Sequence, residues 1–455
     1  MADRHLLRGD GTALPSGLLD QVLQEADITD ISRATIRQCT AVGNELERRA
    51  GVPFTHLEIG VPGIPACPVG IAAQKAALDS GIASIYPVIN GLPELKEHAS
   101  AFVKAFIDVD IAPRGIVPTV GSMQGSFNLI LECAQLHPEK DTILYICPGF
   151  PPHGRQPDVL GIRNLFFDIY EYRDGRLRGK LESYLSGGRI AAILYSNPNN
   201  PAWICLTEEE LRIIGECATK YDVIVLEDMA YLCMDFRRDM SRPFEPPFQP
   251  TVAKYTDNYV LLLSGSKIFS YAGERIAVAC ISDRLYEREY PALRARYGIG
   301  SFGDNYILTF LYVASSGTSH SAQYALSTMF QAAVEGRYDF VKEVREYGLR
   351  SKRSREIFER HGFYLVYDKD MEQTISDGFF YTVGYRDLDN RRLVSDLLRC
   401  GIIAIALNTT GSGQCGIRVC VSRLLSEEDF RLLDERLDLF VELQKNKRHE
   451  LCNGR

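Results

Sequence analysis

The sequence lacks the features of exported, membrane-spanning and nucleic-acid-binding proteins. Its longest strongly apolar runs, at residues 259–263 and 402–407, fall far short of the roughly 20 residues that cross a bilayer. The first twenty residues have no apolar core of the kind found in secretory signals. The formal net charge of −8 gives no broad basic surface for nucleic acid or an anionic membrane. We therefore expect no export, no membrane association and no nucleic-acid partner.

Cysteine is plentiful but follows no pattern. The 12 cysteines are scattered, with no Cys-x-x-Cys pair and no histidine at zinc-ligand spacing, so we expect no metal site. Reduced thiols that pack in the core are the expectation, and they indicate a cytoplasmic protein. A nicotinamide enzyme is disfavoured, because no Gly-x-Gly-x-x-Gly motif follows a predicted strand.

Short β-rich runs alternate with helical patterns through the middle of the chain. This alternation predicts an α/β fold with a mostly parallel central sheet. The spacing predicts a helix over 207–220, with Thr207 as its N-cap and Glu210 completing a capping box, and the Pro-rich stretch 242–250 predicts a surface loop. The five predicted strands are residues 143–147, 190–195, 223–227, 259–263 and 276–281.

The pattern changes after about residue 330. Long charged amphipathic stretches, 338–361 and 426–445, surround two short strand-like runs, which predicts a second, smaller α+β unit. A chain of 455 residues is long enough for about three domain-sized units. The predicted organisation is a large ligand-binding domain over 71–330 and a small domain over 331–455, to which an N-terminal segment, 1–70, also belongs.

Polar residues that follow the predicted strands are candidates for a ligand site, because open α/β sheets bind ligands beyond the carboxyl ends of their strands. Gly121, Ser122 and Met123 follow one apolar run and open a helix, where backbone N–H groups can bind a phosphate. Phe150 lies in a proline-rigid turn after another run and can hold an aromatic ring over the crevice. Each feature alone also fits ordinary turn or core packing.

A second set of strand endings carries amide, acidic and phenolic groups. Asn200 lies in a turn locked by prolines and can present its amide to a ligand oxygen. Asp228 ends an apolar strand, and a buried acid needs a cation or a protonated heterocycle as its partner unless it caps a helix. Tyr231 follows three residues later.

A primary amine follows another of the predicted strands. Lys267 follows an apolar strand and Ser264 and Ser266, and Arg275 comes eight residues after it. A desolvated lysine near other cations loses affinity for its proton and becomes a nucleophile, whereas an isolated lysine is usually a solvated surface amine. One ligand requires all of these endings together, because pyridoxal 5'-phosphate (PLP) has a phosphate, a flat ring, a ring nitrogen and an aldehyde.

These motifs, in this order, resemble the class I/II aminotransferases of PLP fold type I, which include the aspartate aminotransferases, from about Leu57 to Ser422. The resemblance implies that Lys267 holds PLP as a Schiff base and that Asp228 pairs with the pyridine N–H. It further implies that Phe150 stacks on the ring, while Asn200 and Tyr231 bond its phenolic oxygen. The implied phosphate-binding residues are Gly121, Ser122, Met123, Ser264, Ser266 and Arg275.

The resemblance also implies a substrate side and a partner subunit. Gly60 matches the family's substrate-side glycine loop, and Arg418 matches the arginine that binds the α-carboxylate of the substrate. Tyr86 matches a tyrosine that reaches the cofactor phosphate of the neighbouring subunit, so a homodimer with shared active sites is expected.

The function implied is transfer of an amino group between an L-amino acid and a 2-oxo acid. Lys267 would move the α-proton as general base and acid. A C–S lyase or a decarboxylase on the same scaffold is the alternative, because the cofactor-binding residues do not decide which bond breaks. A non-catalytic PLP-binding regulator is disfavoured, since the stretch before Leu57 is too short and not basic enough for a DNA-binding module.

Three departures from the family pattern stand out. The turn that is Asn-Pro-Thr-Gly in relatives ends here in Ala202 and Trp203, the only tryptophan, so we expect the turn to differ in shape or to open over the site. Ala272 stands where many relatives have proline before the phosphate arginine. The stretch 297–321 matches nothing in the family pattern and is a candidate for shaping the substrate pocket.

Overall fold

The computed structural model describes residues 12–453, with side-chain surroundings to residue 449. In chain order the strands within these residues are β1 Thr55–His56, β2 Ile116–Val120, β3 Thr142–Cys147, β4 Arg163–Asp168, β5 Ile190–Ser196, β6 Ile224–Asp228, β7 Tyr259–Ser264, β8 Ile276–Ile281, β9 Tyr364–Leu365, β10 Lys369–Asp370, β11 Gln373–Thr374, β12 Phe380–Gly384, β13 Ile402–Ile403, β14 Ile405–Ala406 and β15 Ile417–Cys420.

Seven of these strands form a central sheet with the order β2-β8-β7-β6-β5-β3-β4. Every neighbouring pair is parallel except those of β8, which runs antiparallel to both β2 and β7. The predicted α/β fold with a mostly parallel sheet is therefore confirmed.

Helices cover both faces of this sheet, and its inner strands are buried along their whole length. This burial explains why their sequences are nearly continuous apolar runs. The helices are α1 Leu18–Glu25, α2 Ile36–Ala50, α3 Pro68–Asp79, α4 Pro93–Ile107, α5 Gly121–Cys133, α6 Pro151–Leu160, α7 Arg176–Leu185, α8 Glu208–Tyr221, α9 Gly265–Ile268, α10 Asp283–Glu287, α11 Pro291–Tyr297, α12 Phe302–Asn305, α13 Tyr312–Ser315, α14 His320–Val334, α15 Phe340–Arg360, α16 Asn390–Arg399 and α17 Glu427–Asn453.

Local signals in the sequence agree with the observed elements. The predicted helix over 207–220 is α8, and Thr207 and Glu210 form the expected capping box, in which each side chain accepts a backbone N–H of the other residue. Residues 242–250 form neither helix nor strand, as predicted. Between residues 12 and 453, no helix has the length and apolar character needed to cross a membrane.

The C-terminal part forms a smaller antiparallel sheet of four strands, in the order β14-β15-β12-β9. The N-terminal segment packs on this part, because β1 pairs in parallel with β13 and the Ala13 N–H donates to the Arg399 carbonyl at 3.0 Å. These contacts are compatible with the expected small domain, whose boundaries stay a prediction, and residues 1–11 lie outside the described part.

The strand register places the polar strand endings at one edge of the large sheet. Ser196, the last residue of β5, pairs with Asp228, the last residue of β6, and Asp228 pairs with Leu262 of β7. Two residues later β7 ends at Ser264. Side chains that follow β5, β6 and β7 therefore meet at the same crevice.

Candidate active site

Lys267 lies in α9, the single helical turn that follows β7, and its side chain is half-buried. Its Nζ donates a hydrogen bond to the Gly60 carbonyl and lies 5.3 Å from the centroid of the Phe379 ring. Burial, with smaller contributions from Arg418 and Arg275, lowers the pKa of Lys267 to about 8. Near neutral pH this lysine is therefore a much better source of neutral amine than a surface lysine.

Asp228 is a buried acid whose partners within the described chain are weak. The Ala230 N–H donates to its Oδ1 at 3.1 Å, and burial raises the pKa of Asp228 to about 7. His153 Nε2 lies 3.6 Å from Asp228 Oδ2, but burial lowers the pKa of His153 to about 4. The imidazole is therefore uncharged near neutral pH and gives Asp228 no cationic partner.

His153 is a site residue that the sequence interpretation missed. It lies in α6, three residues after Phe150, and the two rings meet edge to face with centroids 5.3 Å apart. Residues three apart at the start of a helix share a face, so the spacing Phe-x-x-His was the available signal. A neutral imidazole therefore lies beside the acid, and the Phe150 ring packs against that imidazole.

Asn200 links residues from the two sheets. Its Nδ2 donates to the Tyr231 hydroxyl at 3.4 Å, and Arg418 Nη1 donates to its Oδ1 at 3.2 Å. Tyr231 follows β6 of the large sheet, whereas Arg418 belongs to β15 of the small sheet. The sequence-predicted substrate and cofactor residues therefore form one connected group.

Arg418 is fully buried, although nothing in its local sequence distinguishes it from a surface arginine. Its guanidinium donates to the Glu58 carbonyl and lies 4.6 Å from the centroid of the Phe380 ring. Within residues 12–449 no carboxylate lies within 4.0 Å of the guanidinium. A buried cation without an anionic partner fits a carboxylate ligand.

The predicted phosphate residues lie around Arg275. Gly121 has a φ of +67°, and a Cβ at this position would lie only 2.4 Å from Arg275 Nη2, so glycine is needed for both conformation and space. Arg275 Nη1 lies 3.4 Å from the Ser266 hydroxyl, and Ser266 in turn donates its N–H to the Ser264 hydroxyl at 3.2 Å. Ser122 and Met123 follow Gly121 in the first turn of α5. A guanidinium beside a helix N-terminus is an anion-binding arrangement.

The remaining two predicted residues differ in position. Gly60 lies at the site, because its carbonyl accepts from Lys267 and a Cβ on it would lie 3.1 Å from Phe380. Tyr86 precedes α4 and is 90% exposed. The structure of one chain therefore brings the sequence-predicted residues together apart from Tyr86.

The unusual turn at Trp203 does not open over the site. Trp203 has a φ of +61°, the left-handed conformation that glycine favours, and its side chain is fully buried. A left-handed conformation costs an L-residue about 1–2 kcal/mol, which burial of the large indole offsets. The turn thus keeps a backbone conformation suited to glycine while carrying a large ring inward.

The unassigned stretch 297–321 contains a π-helix, Tyr306–Leu311. Phe302 and Tyr306 are buried in a hydrophobic core, and Asn305 donates to Glu132 of α5 at 3.0 Å. The inner side of the stretch therefore packs on α5, while Tyr312 and Val313 remain exposed. Its expected role in the substrate pocket stays a prediction.

Comparison with known proteins gives a consistent result. The family model for aminotransferase class I and II matches residues 53–437. A probable aspartate aminotransferase of Methanocaldococcus jannaschii is 26% identical over 50% of this chain and 57% of that protein. An asparagine–oxo-acid transaminase of Streptococcus mutans is 25% identical over 46% of this chain and 51% of that protein. The chain thus spans about half the length of these curated relatives.

Solved structures share the fold. An aminotransferase from Mycobacterium tuberculosis superposes with a TM-score of 0.71 at 17% identity, covering 90% of this chain and 95% of that one. The aspartate aminotransferase from Thermus thermophilus with maleate gives a TM-score of 0.68 at 20% identity, covering 93% and 98%. At these identities the likeness establishes the PLP fold type I architecture and no more.

Proposed function

Because the chain belongs to the class I and II aminotransferase family, we propose that it is a PLP-dependent aminotransferase that moves an amino group between an L-amino acid and a 2-oxo acid. The observation that carries the proposal is Lys267, an amine whose pKa is lowered to about 8. Besides burial, two guanidinium groups contribute to this lowering: Arg418, which is suited to binding a carboxylate, and Arg275, which lies beside the anion-binding turn. The three groups match the amine, carboxylate and phosphate chemistry that the reaction needs.

The buried acid supports PLP as the cofactor. Among the described residues Asp228 has no charged partner, because the nearby His153 is neutral. A protonated pyridine nitrogen would supply the missing positive charge. The cradle formed by Gly121, Ser266 and Arg275 suits a phosphate, since a Cβ at 121 would fill the space beside the guanidinium. We propose that Phe150 stacks on the ring and that Asn200 and Tyr231 bond its phenolic oxygen.

PLP, when bound, supplies an aldehyde that joins to amines and a cationic ring that accepts the electron pair left when the α C–H bond breaks. Lys267 Nζ is the only amine in the group and would hold the cofactor, then take the α-proton from the substrate and return it as general base and acid. Asp228 would keep the ring nitrogen protonated. Arg418 would bind the α-carboxylate and orient the C–H bond toward Lys267.

An exposed apolar patch supports the proposed homodimer with shared active sites. The patch comprises Ile85, Tyr86, Val88, Tyr312 and Val313, all more than half exposed. Its two segments adjoin, because a Cβ on Gly317 would lie 3.3 Å from Pro87. Exposed apolar residues that lie close together mark interaction surfaces, and Tyr86, which the family pattern assigns to the phosphate of the neighbouring subunit, belongs to this patch.

We further propose a cytoplasmic location. The eleven cysteines between residues 12 and 449 are all unpaired, and ten of them are buried. Unpaired buried thiols are typical of proteins in a reducing compartment.

The function is tested by adding PLP to the purified protein and then assaying a panel of L-amino acids, each with 2-oxoglutarate as acceptor. We expect a visible absorption band from bound PLP and paired formation of a new 2-oxo acid and glutamate. Lys267→Ala is expected to abolish both the lysine-linked band and turnover, while the exposed Lys104→Ala variant should behave as wild type. A protein that stays colourless with PLP would refute the proposal. Release of pyruvate and ammonia without an amino acceptor would show that the protein is a lyase instead of an aminotransferase.

A further inference from the structure

Trp203 joins two parts of the molecule that carry different site residues. The centroid of its buried indole lies 5.3 Å from that of the Tyr231 ring and 6.2 Å from that of the Phe380 ring, at interplanar angles of 67° and 64°. Tyr231 follows β6 of the large sheet, and Phe380 begins β12 of the small sheet. The indole therefore fills the seam between the two sheets.

Gly378 accommodates the indole on the small-sheet side of this seam. A Cβ built on Gly378 would lie 1.9 Å from Cε2 and 2.0 Å from Nε1 of Trp203. The φ of Gly378 is not in the left-handed region, so space, rather than backbone conformation, requires glycine here. The indole of Trp203 therefore occupies the space that a side chain at position 378 would need.

Asn200 is linked to both ring neighbours of the indole, to Tyr231 directly and to Phe380 through Arg418. Asn200 bonds the Tyr231 hydroxyl on one side and the Arg418 guanidinium on the other, and that guanidinium lies on the Phe380 ring. Trp203 belongs to the same turn as Asn200, and the backbone N–H of Trp203 donates to the Asn199 carbonyl at 3.1 Å. Movement of the indole would therefore change the distance between Tyr231 and Arg418.

We propose that Trp203 is a positioning residue, which sets the spacing between Tyr231 and Arg418 across the seam and so sets how tightly the site holds the substrate carboxylate. The proposal rests on the function proposed above. The indole Nε1 has no hydrogen-bond partner among the described residues, so the ring acts through its shape and contacts. Trp203 touches neither cofactor nor substrate in this scheme, and its effect passes through Asn200, Tyr231 and Phe380.

A double-mutant cycle between Trp203 and Gly378 tests the proposal. Gly378→Ala alone is expected to raise KM for the preferred amino acid by about tenfold or more, with a smaller change in kcat, because its Cβ displaces the indole. In a Trp203→Gly background the same Gly378→Ala change should cost little, since the space is already empty. Gly179→Ala, in α7, where a Cβ meets nothing within 4 Å, is the matched control. Additive losses in the cycle would overturn the proposal.

Two further measurements separate positioning from a general loss of stability. In the cofactor-free protein, emission from this single tryptophan should move to longer wavelength in Gly378→Ala as the indole leaves the seam. Trp203→Phe, which keeps a ring in the seam, should retain a KM closer to wild type than Trp203→Gly does. Unchanged emission in Gly378→Ala, or equal losses in the Phe and Gly variants, would overturn the proposal. Failure of the wild-type protein to bind PLP would instead refute the proposed function.

Discussion

The site consists of two groups of residues around Lys267 that differ in how far a single chain encloses them. The inner group, Asp228, Asn200, Tyr231 and Arg418, is buried, and the hydrogen bonds of Asn200 to Tyr231 and Arg418 join residues of the large and small sheets. In the outer group Gly121, Ser264 and Ser266 are also buried, but the charged member, Arg275, is exposed.

The difference in solvent exposure changes how strongly the charges of each group act on a ligand. Charges in the inner group act in a poorly solvated environment, where their effects on a ligand are large, whereas the exposed Arg275 is screened by water and salt. One chain thus preorganises the groups that would govern the chemistry. The groups that would hold the phosphate gain their full strength only when something excludes water from them, and a second copy bringing Tyr86 is the proposed means.

The largest expected effect concerns the inner acid. Asp228→Asn removes the negative charge that would keep the pyridine nitrogen protonated, and we expect kcat to fall by about 10²–10³-fold, the scale of removing one preorganised electrostatic partner. Steady-state kinetics at saturating PLP measures it. The neighbouring Glu227→Gln is the control, because Glu227 instead accepts from Thr251 at 2.6 Å and Val252 at 3.1 Å. Equal losses of kcat in both variants would contradict a specific role for Asp228.

The next effect concerns the outer cation. Arg275→Leu removes a guanidinium proposed to bind phosphate, and the loss of a charge-assisted hydrogen bond should weaken PLP binding by about tenfold to a hundredfold. Equilibrium titration of the cofactor-free variant with PLP gives this number. Arg284→Leu, at an exposed arginine paired with Asp257 at 2.8 Å, should bind PLP like wild type. An Arg275→Leu protein with unaltered PLP affinity would show that the phosphate binds elsewhere.

A smaller effect tests whether a second chain completes the outer group. Tyr86→Phe removes one hydroxyl, and PLP affinity is expected to fall by about tenfold, while Tyr312→Phe in the same apolar patch should leave it unchanged. Sedimentation of the wild-type protein should give a dimer, and dilution into the monomer range should weaken PLP binding. A monomer that binds PLP with full affinity at all concentrations would eliminate the shared site.

The last test is a pH dependence at Lys267, the residue around which the two groups lie. Because the pKa of Lys267 is lowered to about 8, its neutral fraction in the cofactor-free protein rises with pH and levels off above that value. The rate of PLP attachment should therefore rise about tenfold per pH unit below pH 8 and then flatten. Stopped-flow absorbance across pH 6 to 10 follows it, and a rise that continues to about 10.4, the ordinary lysine value, would contradict the lowered pKa.

The core strands of the fold could be predicted because each is buried on both faces. The predicted strand over residues 276–281 has the bounds of β8. Three of the other predicted strands differ from the observed ones by one residue at one end, and the prediction over 223–227 differs from β6 by one residue at each end. The edge strand β4 was missed, since its exposed, mixed sequence makes no apolar run. The antiparallel direction of β8 could not be predicted either, because an apolar run in the sequence does not indicate which way a strand runs in the sheet.

The site residues could be proposed where a short motif marks a strand ending, as at Lys267 and Asp228. The contacts of Arg418 with Asn200 join residues 218 positions apart in sequence, and no local pattern encodes such a pairing. The contact of His153 with Asp228 and the burial of Trp203 against Gly378 are of the same kind, since each depends on packing between distant segments. The spacing from Phe150 marks His153 itself but not this contact.

The antiparallel strand β8 has a geometrical consequence for the crevice. A strand that runs against its neighbours begins where they end, so Arg275, the residue just before β8, reaches the ligand edge from a strand's amino end. The amine of Lys267 and the guanidinium of Arg275 therefore lie at the same edge of the sheet, joined by the short connection 268–274. Lengthening this connection by one residue would separate the two cations while leaving every strand of the sheet in place.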